Sequence, residues 1–289
     1  MARFGRLVTA MVTPFNEQKQ IDFEKTERLI DHLLATGSEG IVVSGTTGES
    51  PTLSGAEKLE LFRHVVSYAK GKCHIIAGTG SNNTAQSIEF TQEVQKIGVD
   101  AVMLVSPYYS RPSQEGLYAH FKEIATSTDL PVMLYNVPGR TAVNMNAETT
   151  LRLAQLPNVV CTKEASGNLG QMARIIEHAP EGFELYSGDD GLTLPVLSIG
   201  GVGVVSVASH VIGTEMQEMI NAYFQGDHAR AASLHRKLVP VFEGLFVYPS
   251  PCPVKEALNH LGIDVGGVRL PLIELNDEEK TFVHSLLQL

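Results

Sequence analysis

The feature that most constrains the fold of this chain is a pattern of eight short apolar runs separated by amphipathic stretches. Each run is rich in Val, Ile or other residues suited to strands, and is short enough to be buried on both faces, as parallel strands are. The runs are RLVTAMV, GIVVSG, HIIAGTG, DAVMLVS, PVMLYNV, VVCTKEA, FELYSG and GVGVVSVA. The pattern predicts a strand followed by a helix, eight times over.

The intervening stretches have apolar residues at helical spacing and glycine near their ends, as in DFEKTERLIDHLLATG, GAEKLELFRHVVSYAKG and TAQSIEFTQEVQKIG. Eight such units either close as a barrel or lie open as a doubly wound sheet. An open nucleotide-binding sheet carries G-x-G-x-x-G after its first strand, whereas VTPFNEQ follows the first run of this chain. GTGSNN, after the third run, lacks the third glycine and is predicted to be a tight loop rather than a phosphate cradle. We therefore predict an α/β protein with a (β/α)8 TIM barrel.

Further helical patterns follow the eighth unit, in DHARAASLHRKLVPVFEGLF, CPVKEALNHLG and DEEKTFVHSLLQ. No evident linker separates them from the units before. We predict a catalytic barrel over residues 1–226 and a helical C-terminal extension over residues 227–289.

The composition is typical of a soluble globular protein that binds small molecules or other protein chains. Of the 289 residues, 43% are hydrophobic and 19% are charged, and the formal net charge is −10. This acidic balance argues against nucleic acid and anionic membranes as partners, because both attract basic surfaces. No segment approaches the about 20 apolar residues of a membrane helix. The N-terminal apolar stretch is too short and too polar for a signal sequence.

The cysteine and histidine patterns predict a reduced protein without a metal. Cys73, Cys161 and Cys252 are far apart and form no C-x-x-C pair, so neither a disulfide framework nor a zinc site is expected. The ten histidines include no H-E-x-x-H motif. We therefore expect a cytoplasmic location.

In a barrel of this kind, function lies at the carboxyl ends of the strands. After the second run, SGTTGES places Thr46 and Thr47 between Gly45 and Gly48, which allow close approach of the backbone. Hydroxyls and amides in such a turn suit a carboxylate or enolate oxygen. The alternative is a polar turn that binds nothing.

After the fourth run, SPYYSRP places Tyr108 and Tyr109 between two prolines that stiffen the loop. These tyrosines either pack within the chain or lie at a subunit interface.

The fifth and sixth runs end in Tyr135 and Lys163, and Arg140 follows Tyr135 closely. Adjacent strands lie about 4.8 Å apart, so Tyr135 and Lys163 meet if their side chains share the inner face of the barrel. An amine in apolar surroundings loses hydration, which favours the free base that attacks a carbonyl. Tyr135 would then position or protonate the departing oxygen, and Arg140 offers a planar fork for a carboxylate. This arrangement predicts a site for a keto acid; a solvated surface lysine is the alternative.

Three other features have competing interpretations. Cys161 is expected to face inward with Lys163 as a small core residue rather than a nucleophile, because no histidine is placed beside it. Asp189 and Asp190 are interpreted as helix N-caps rather than as an acid/base pair. Gly188, just before them, would leave room for a substrate carboxylate at backbone amides.

Four motifs, GTTGES, SPYYSRP, YNVPGRT and KEASGN, resemble those of the dihydrodipicolinate synthase family, and the resemblance covers the entire chain in order. It implies a (β/α)8 barrel with a helical extension, assembled as a homotetramer that is a dimer of dimers. It also implies a lyase that condenses pyruvate with L-aspartate 4-semialdehyde to give 4-hydroxy-tetrahydrodipicolinate, in lysine and diaminopimelate biosynthesis. The reaction would be a Schiff-base aldol without a cofactor beyond the covalent imine with pyruvate.

The resemblance also implies roles for particular residues. Lys163 would form the imine, and the implied proton relay consists of Tyr135, Thr47 and Tyr109. Tyr109 would reach across a dimer interface into the neighbouring active site. The implied substrate-binding residues are Thr46, Thr47, Arg140, Gly188 and Val205, the last through its carbonyl. One departure from the family is Ser250, where members often have Asn, and it concerns a peripheral contact.

Some members of the family are inhibited by lysine at a second site in the dimer interface. In this chain the matching residues include Ser50, Asn82 and Tyr108. Strongly inhibited members have histidines and a glutamate at positions that correspond here to Pro51, Gly55, Lys58 and Gln86. We therefore predict weak or absent inhibition by L-lysine.

Two alternatives are weighed against this interpretation. N-acetylneuraminate lyase and related pyruvate-dependent aldolases share the barrel and the lysine, but the lyase typically has G-S-T-G-E in place of GTTGE and lacks the arginine of PGRT. A barrel that serves only as a binding or structural protein would be expected to lose Lys163 or its relay.

Overall fold

A computed structural model describes residues 2–288 and contains eight parallel strands that close into a barrel in the order β1 to β8. Each of the eight apolar runs contains one strand, so the predicted barrel is confirmed. The strands are β1 Leu7–Ala10, β2 Gly40–Val43, β3 His74–Gly78, β4 Ala101–Val105, β5 Val132–Asn136, β6 Val159–Glu164, β7 Glu184–Ser187 and β8 Gly203–Ser206.

Helices connect the strands and continue after the last one. Those of the barrel are α1 Phe23–Ala35, α2 Gly55–Ala69, α3 Thr84–Gln95, α4 Gln114–Ala125, α5 Pro138–Thr141, α6 Ala147–Leu153, α7 Leu169–His178, α8 Thr193–Ser198 and α9 Ser209–Phe224. The later ones are α10 His228–Gly244, α11 Cys252–His260 and α12 Asp277–Ser285, and short 3₁₀ turns cover Ser50–Thr52 and Asp190–Leu192. The predicted division at residue 226 falls in the connection between α9 and α10.

Local sequence sets where these helices begin. Several start after an Asp, Ser or Asn whose side chain accepts from a backbone amide of the first turn, which satisfies a donor that the helix leaves free. At α2, Ser54 and Glu57 form a reciprocal capping box. This box fixes the start of α2 at Gly55, shortly after the 3₁₀ turn Ser50–Thr52.

The barrel closes where β8 pairs with β1. Val8 is in register with Val205 on one side and with Gly40 of β2 on the other. A side chain at Gly203 would overlap the carbonyl oxygen of Arg6, so glycine is required for this close approach. Closure thus joins residues from the two ends of the barrel sequence.

Side chains alternate between two apolar layers. The outer layer packs between strands and helices, whereas the inner cluster fills the barrel and includes Met133, Tyr135, Cys161, Tyr186 and Val205. Burial raises the pKa of the Cys161 thiol well above its usual range. Cys161 is therefore a buried core residue that faces inward, as predicted, in surroundings that disfavour the reactive thiolate.

Within residues 2–288, none of the helices has both the length and the apolar character needed to cross a membrane. The same part of the chain contains no group of three or more His, Cys, Asp and Glu residues arranged to hold a metal ion.

Candidate active site

Lys163 lies near the carboxyl end of β6, inside the barrel and in register with Tyr135 of β5. Its amine is 4.2 Å from the centre of the Tyr135 ring, so it lies over the ring face rather than against the hydroxyl. Lys163 is 5% exposed, and within residues 2–288 it forms no ion pair with a carboxylate. The amine is thus buried against an aromatic ring inside the barrel, a position from which a lysine can attack the carbonyl carbon of a bound substrate.

Of the other predicted substrate-binding residues, Gly188 lies directly beside this lysine. A Cβ at Gly188 would be 3.1 Å from Cγ of Lys163 and closer still to Ala165, so glycine leaves room for the lysine stem. This close approach is a packing function of Gly188 that the sequence did not predict. Its backbone amide donates to the carbonyl of Glu164 at 2.8 Å. Val205 is buried in the inner cluster.

A buried polar network lies on the other face of β6, behind Lys163. The Glu164 carboxylate accepts from the side-chain amides of Asn136 at 3.0 Å and Gln171 at 3.1 Å, and from the amide of Ser166 at 2.9 Å. Burial raises the pKa of Glu164, and these hydrogen bonds act in the opposite direction. The network ties the end of β5 to the end of β6 and so fixes the two strands that carry Tyr135 and Lys163.

The polar turn after β2, residues 45–49, will be called the threonine turn. Thr46 is half-buried and Thr47 is buried, and neither hydroxyl forms a hydrogen bond to another side chain in the described part of the chain. Both are therefore free to bind a ligand. The left-handed positions that bound the turn are Ser44, with φ 55°, and Glu49, with φ 54°.

The two glycines of the threonine turn differ in function. A Cβ at Gly48 would lie 3.1 Å from the carbonyl oxygen of Met11 and 3.2 Å from the Ser44 backbone, whereas the nearest atoms to one at Gly45 are side-chain atoms at 3.4 Å. The predicted close backbone approach is therefore confirmed at Gly48 and is weaker at Gly45.

Tyr109 is 90% exposed and has a left-handed backbone, with φ 74°, which is uncommon for a bulky residue. Tyr108 beside it is 39% exposed, and its carbonyl accepts from the Asn82 side-chain amide at 3.3 Å. The loop thus holds Tyr109 outward, away from the core of its own chain. Such an exposed aromatic side chain is suited to contact with another subunit.

A cavity of about 570 Å³ opens at the carboxyl ends of the strands. Its lining brings together Thr46, Tyr108, Tyr109, Tyr135 and Arg140. Arg140 lies in the short helix α5, which begins at Pro138, and is exposed at the rim. Lys163 itself is not among the lining residues, but its amine lies against the ring of Tyr135, which is. Residues predicted from three separate strand ends, those of β2, β4 and β5, therefore surround one space.

A neighbouring cavity of about 400 Å³ lies between α2 and α3 and shares Lys58 with the first. Its other lining residues include Gln86, Glu89, Phe90 and Glu93. Burial lowers the pKa of Lys58. Ser50 and Tyr108 of the predicted effector site line the larger cavity, and Asn82 bonds to Tyr108.

Asp189 and Asp190 have separate structural roles. Asp189 accepts from the amide of Gly191 at 2.9 Å and is an N-cap, as predicted. Asp190 is not the cap of its own turn: it accepts from the amides of Val207 at 3.1 Å and Ala208 at 2.9 Å, between β8 and α9. Burial raises the pKa of Asp190. The two carboxylates do not form an acid/base pair.

A family model described as the dihydrodipicolinate synthetase family matches residues 3–289. The chain belongs to this family. It is 61% identical over 276 residues to 4-hydroxy-tetrahydrodipicolinate synthase 1 of Halalkalibacterium halodurans, covering 96% of this chain and 94% of that protein.

Solved structures of the family have the same fold over the whole chain. The crystal structure of a dihydrodipicolinate synthase from Bacillus anthracis is 55% identical, with a TM-score of 0.98, and the match covers 100% of this chain and 99% of that one. A synthase from Cyanidioschyzon merolae, solved with lysine bound, is 49% identical, with a TM-score of 0.97 and coverage of 99% and 98%. The family resemblance seen in the four motifs is therefore confirmed.

Proposed function

We propose that this protein is a 4-hydroxy-tetrahydrodipicolinate synthase that condenses pyruvate with L-aspartate 4-semialdehyde through an imine on Lys163. The observation that carries the proposal is a buried lysine that lies on the Tyr135 ring, next to a cavity lined by Tyr135 and Arg140, and that forms no ion pair within residues 2–288. The family to which the chain belongs supports the choice of substrates. The product would serve lysine and diaminopimelate biosynthesis.

In the proposed reaction, the Lys163 amine attacks the keto carbon of pyruvate, and the resulting carbinolamine loses water to give the imine. Loss of a proton from the methyl carbon gives an enamine, which forms a carbon–carbon bond to the aldehyde carbon of the second substrate. The amine of that substrate then attacks the imine carbon, closes the ring and releases Lys163. One water is lost overall, and no oxidant, reductant or further cofactor is needed.

Each proton in this sequence needs a nearby acid or base. We assign the relay to Tyr135, Thr47 and Tyr109, since Tyr135 contacts Lys163 and the threonine turn adjoins the same cavity. The hydroxyls of Thr46 and Thr47 would bind the pyruvate carboxylate, because neither bonds to another side chain in the part of the chain that the structure describes.

Arg140 would bind the carboxylate of the aldehyde substrate. Its guanidinium is at the rim and offers paired donors in the geometry that a carboxylate accepts. Gly188 and the Val205 carbonyl would lie beside the bound intermediate, near the lysine stem.

The proposal includes assembly as a homo-oligomer, a tetramer built as a dimer of dimers. Its basis is Tyr109, which is held outward on a stiff loop and would reach the neighbouring subunit's site. We place the enzyme in the cytoplasm, where its three free thiols would stay reduced.

A comparison of two aldehydes tests the proposed function. Protein and pyruvate are mixed with L-aspartate 4-semialdehyde in one assay and with N-acetylmannosamine in another, and product formation is followed. We expect turnover with the semialdehyde alone. Turnover with the amino sugar would instead favour the neuraminate lyase interpretation. Imine formation without turnover of either aldehyde would indicate a pyruvate-dependent aldolase with a different second substrate.

L-lysine is expected to inhibit this enzyme weakly, with no half-inhibition below about 1 mM. Gln86 offers a neutral amide where strongly inhibited members have a carboxylate, and Lys58 adds a cation that repels the ligand's ammonium. Together these changes weaken binding by about tenfold to a hundredfold. Titration of L-lysine into the steady-state assay measures this.

A double variant provides the matched control for lysine inhibition. Lys58→Ala with Gln86→Glu removes the cation and restores the carboxylate, so inhibition should strengthen by at least about tenfold. Half-inhibition of the unmodified enzyme in the submillimolar range would show that Asn82 and Tyr108 suffice and that the prediction is wrong.

A further inference from the structure

A buried ion pair joins the threonine turn to the C-terminal helices. The amine of Lys255, on α11, lies 2.6 Å from a carboxylate oxygen of Glu49, the last residue of the turn, and both side chains are at most 2% exposed. Lys255 also donates to the carbonyl of Gly267 at 2.8 Å. The second carboxylate oxygen of Glu49 accepts from the amide of Arg269 at 2.9 Å. Two separate parts of the C-terminal segment therefore hold one carboxylate.

Arg269 extends this attachment to the neighbouring loops. Its guanidinium donates to the carbonyls of Lys19 at 2.7 Å and Thr52 at 3.0 Å, and to the carboxylate of Glu57 at 2.6 Å. The hydrogen bond from Arg269 lowers the pKa of Glu57 to about 2. The ring of Phe15 packs against the same guanidinium at 4.5 Å. The loops that follow β1 and β2 are thus tied to one side chain.

Stability alone does not account for a buried ion pair. Removing two charges from water costs several kcal/mol, and well-packed apolar residues of the same size often stabilise a fold as much or more. Burial lowers the pKa of Lys255 to about 8, which reflects this cost. An apolar pair would not fix the orientation of the side chain at position 49. The ion pair and the Arg269 amide hold one carboxylate oxygen of Glu49 each, and so fix that orientation.

The position of Glu49 determines the position of the threonine turn. Glu49 has the left-handed conformation, and its amide donates to the carbonyl of Thr46 at 3.0 Å. Thr13 holds the adjacent Gly48 by donating to its carbonyl at 2.7 Å. A shift of the Glu49 carboxylate would therefore move the backbone that carries Thr47 and Thr46, the latter of which lines the cavity.

We infer that Glu49, Lys255 and Arg269 are positioning residues for keto-acid binding: they lock the threonine turn so that its hydroxyls face the substrate carboxylate. The C-terminal segment is in this way a determinant of pyruvate affinity as well as a part of the fold. The inference rests on the proposed function, because it takes the threonine turn as the site of the pyruvate carboxylate.

The test separates affinity from stability. In Lys255→Met the Glu49 carboxylate stays buried without its partner, so the thermal midpoint should fall. In the double variant Glu49→Gln with Lys255→Met no charge is left unpaired, and the midpoint should return toward that of the parent. We expect the double variant to keep a KM for pyruvate at least about tenfold above the parent, with kcat changed less than about threefold.

A second variant and a control complete the design. Glu49→Asp keeps the negative charge but shortens the side chain, and it should also raise the KM for pyruvate. It provides the test if the double variant does not fold. Lys25→Met with Asp264→Asn removes another ion pair between barrel and C-terminal segment, of 2.7 Å, that does not touch the turn, and should leave KM unchanged.

Borohydride trapping distinguishes the two possible failures. If the unmodified protein traps no pyruvate on Lys163, the proposed function fails. Suppose instead that the unmodified protein traps pyruvate on Lys163. The positioning inference is then overturned if folded Glu49 variants trap pyruvate over the same concentration range as the parent and have the same KM for pyruvate in the steady-state assay.

Discussion

Borohydride reduction in the presence of pyruvate will leave a three-carbon adduct on Lys163, and Lys163→Arg will abolish both the adduct and turnover. Arginine keeps a cation at the end of β6, but its guanidinium stays protonated and cannot attack a keto carbon. Loss of the nucleophile should lower kcat on the order of a thousandfold or more. Peptide mapping by mass spectrometry locates the adduct, and the steady-state assay measures the rate.

Lys58→Arg is the matched control for this experiment, because Lys58 lines the cavity that Tyr135 also lines and the substitution is the same. It should leave the adduct on Lys163 and most of the activity. An adduct on Lys58, or on any lysine other than Lys163, would refute the assigned nucleophile.

Mixing two inactive proteins will restore activity if Tyr109 serves the neighbouring subunit. Tyr109→Phe should lower the catalytic rate by about 10²- to 10⁴-fold, as expected for removal of a proton-transfer group. Lys163→Ala should lose nearly all activity. In a hybrid dimer, one site combines an intact Lys163 with an intact Tyr109 from the other chain. Random exchange makes half of the dimers hybrid, so about one quarter of the sites should recover.

Tyr135→Phe mixed with Lys163→Ala provides the control for this complementation. Tyr135 and Lys163 contact each other within one barrel, so no hybrid site contains both intact groups and no recovery is expected. Native mass spectrometry confirms that hybrids have formed. Inactive hybrids of the Tyr109→Phe pair would mean that Tyr109 does not act across the interface.

Most of the barrel and of its cavity could be predicted from sequence, for a physical reason. Apolar periodicity determines each strand and helix locally, and a parallel barrel brings the carboxyl ends of all strands to one face. Alternation along the strands then predicts that Tyr135 and Lys163 face the same interior, as their register confirms. Thr46 and Arg140 meet in the cavity for the same reason.

What sequence reasoning missed depends on tertiary contacts. No local pattern relates Glu49 to Lys255 or Arg269, since their meeting depends on how the C-terminal segment docks against the loops. The contact between Gly188 and the Lys163 stem, which come from different strands, is likewise set by tertiary packing. The sequence does contain one indication of the contacts of Glu49. Glu49 is a carboxylate within a motif of small residues, GTTGES, and a carboxylate buried in such a turn needs a partner.

The pairing of β1 with β8 has a consequence for how the chain folds. A closed sheet has no free edge to recruit strands from other molecules, but this protection begins only when β8 is in place. During synthesis the earlier strands emerge first, and until β8 arrives the hydrogen-bonding edges of β1 and β7 stay open. Because Gly203 must lie directly against Arg6 for closure, a side chain there would prolong the period of exposure. We expect such a variant to form inclusion bodies even though it leaves every group around the cavity intact.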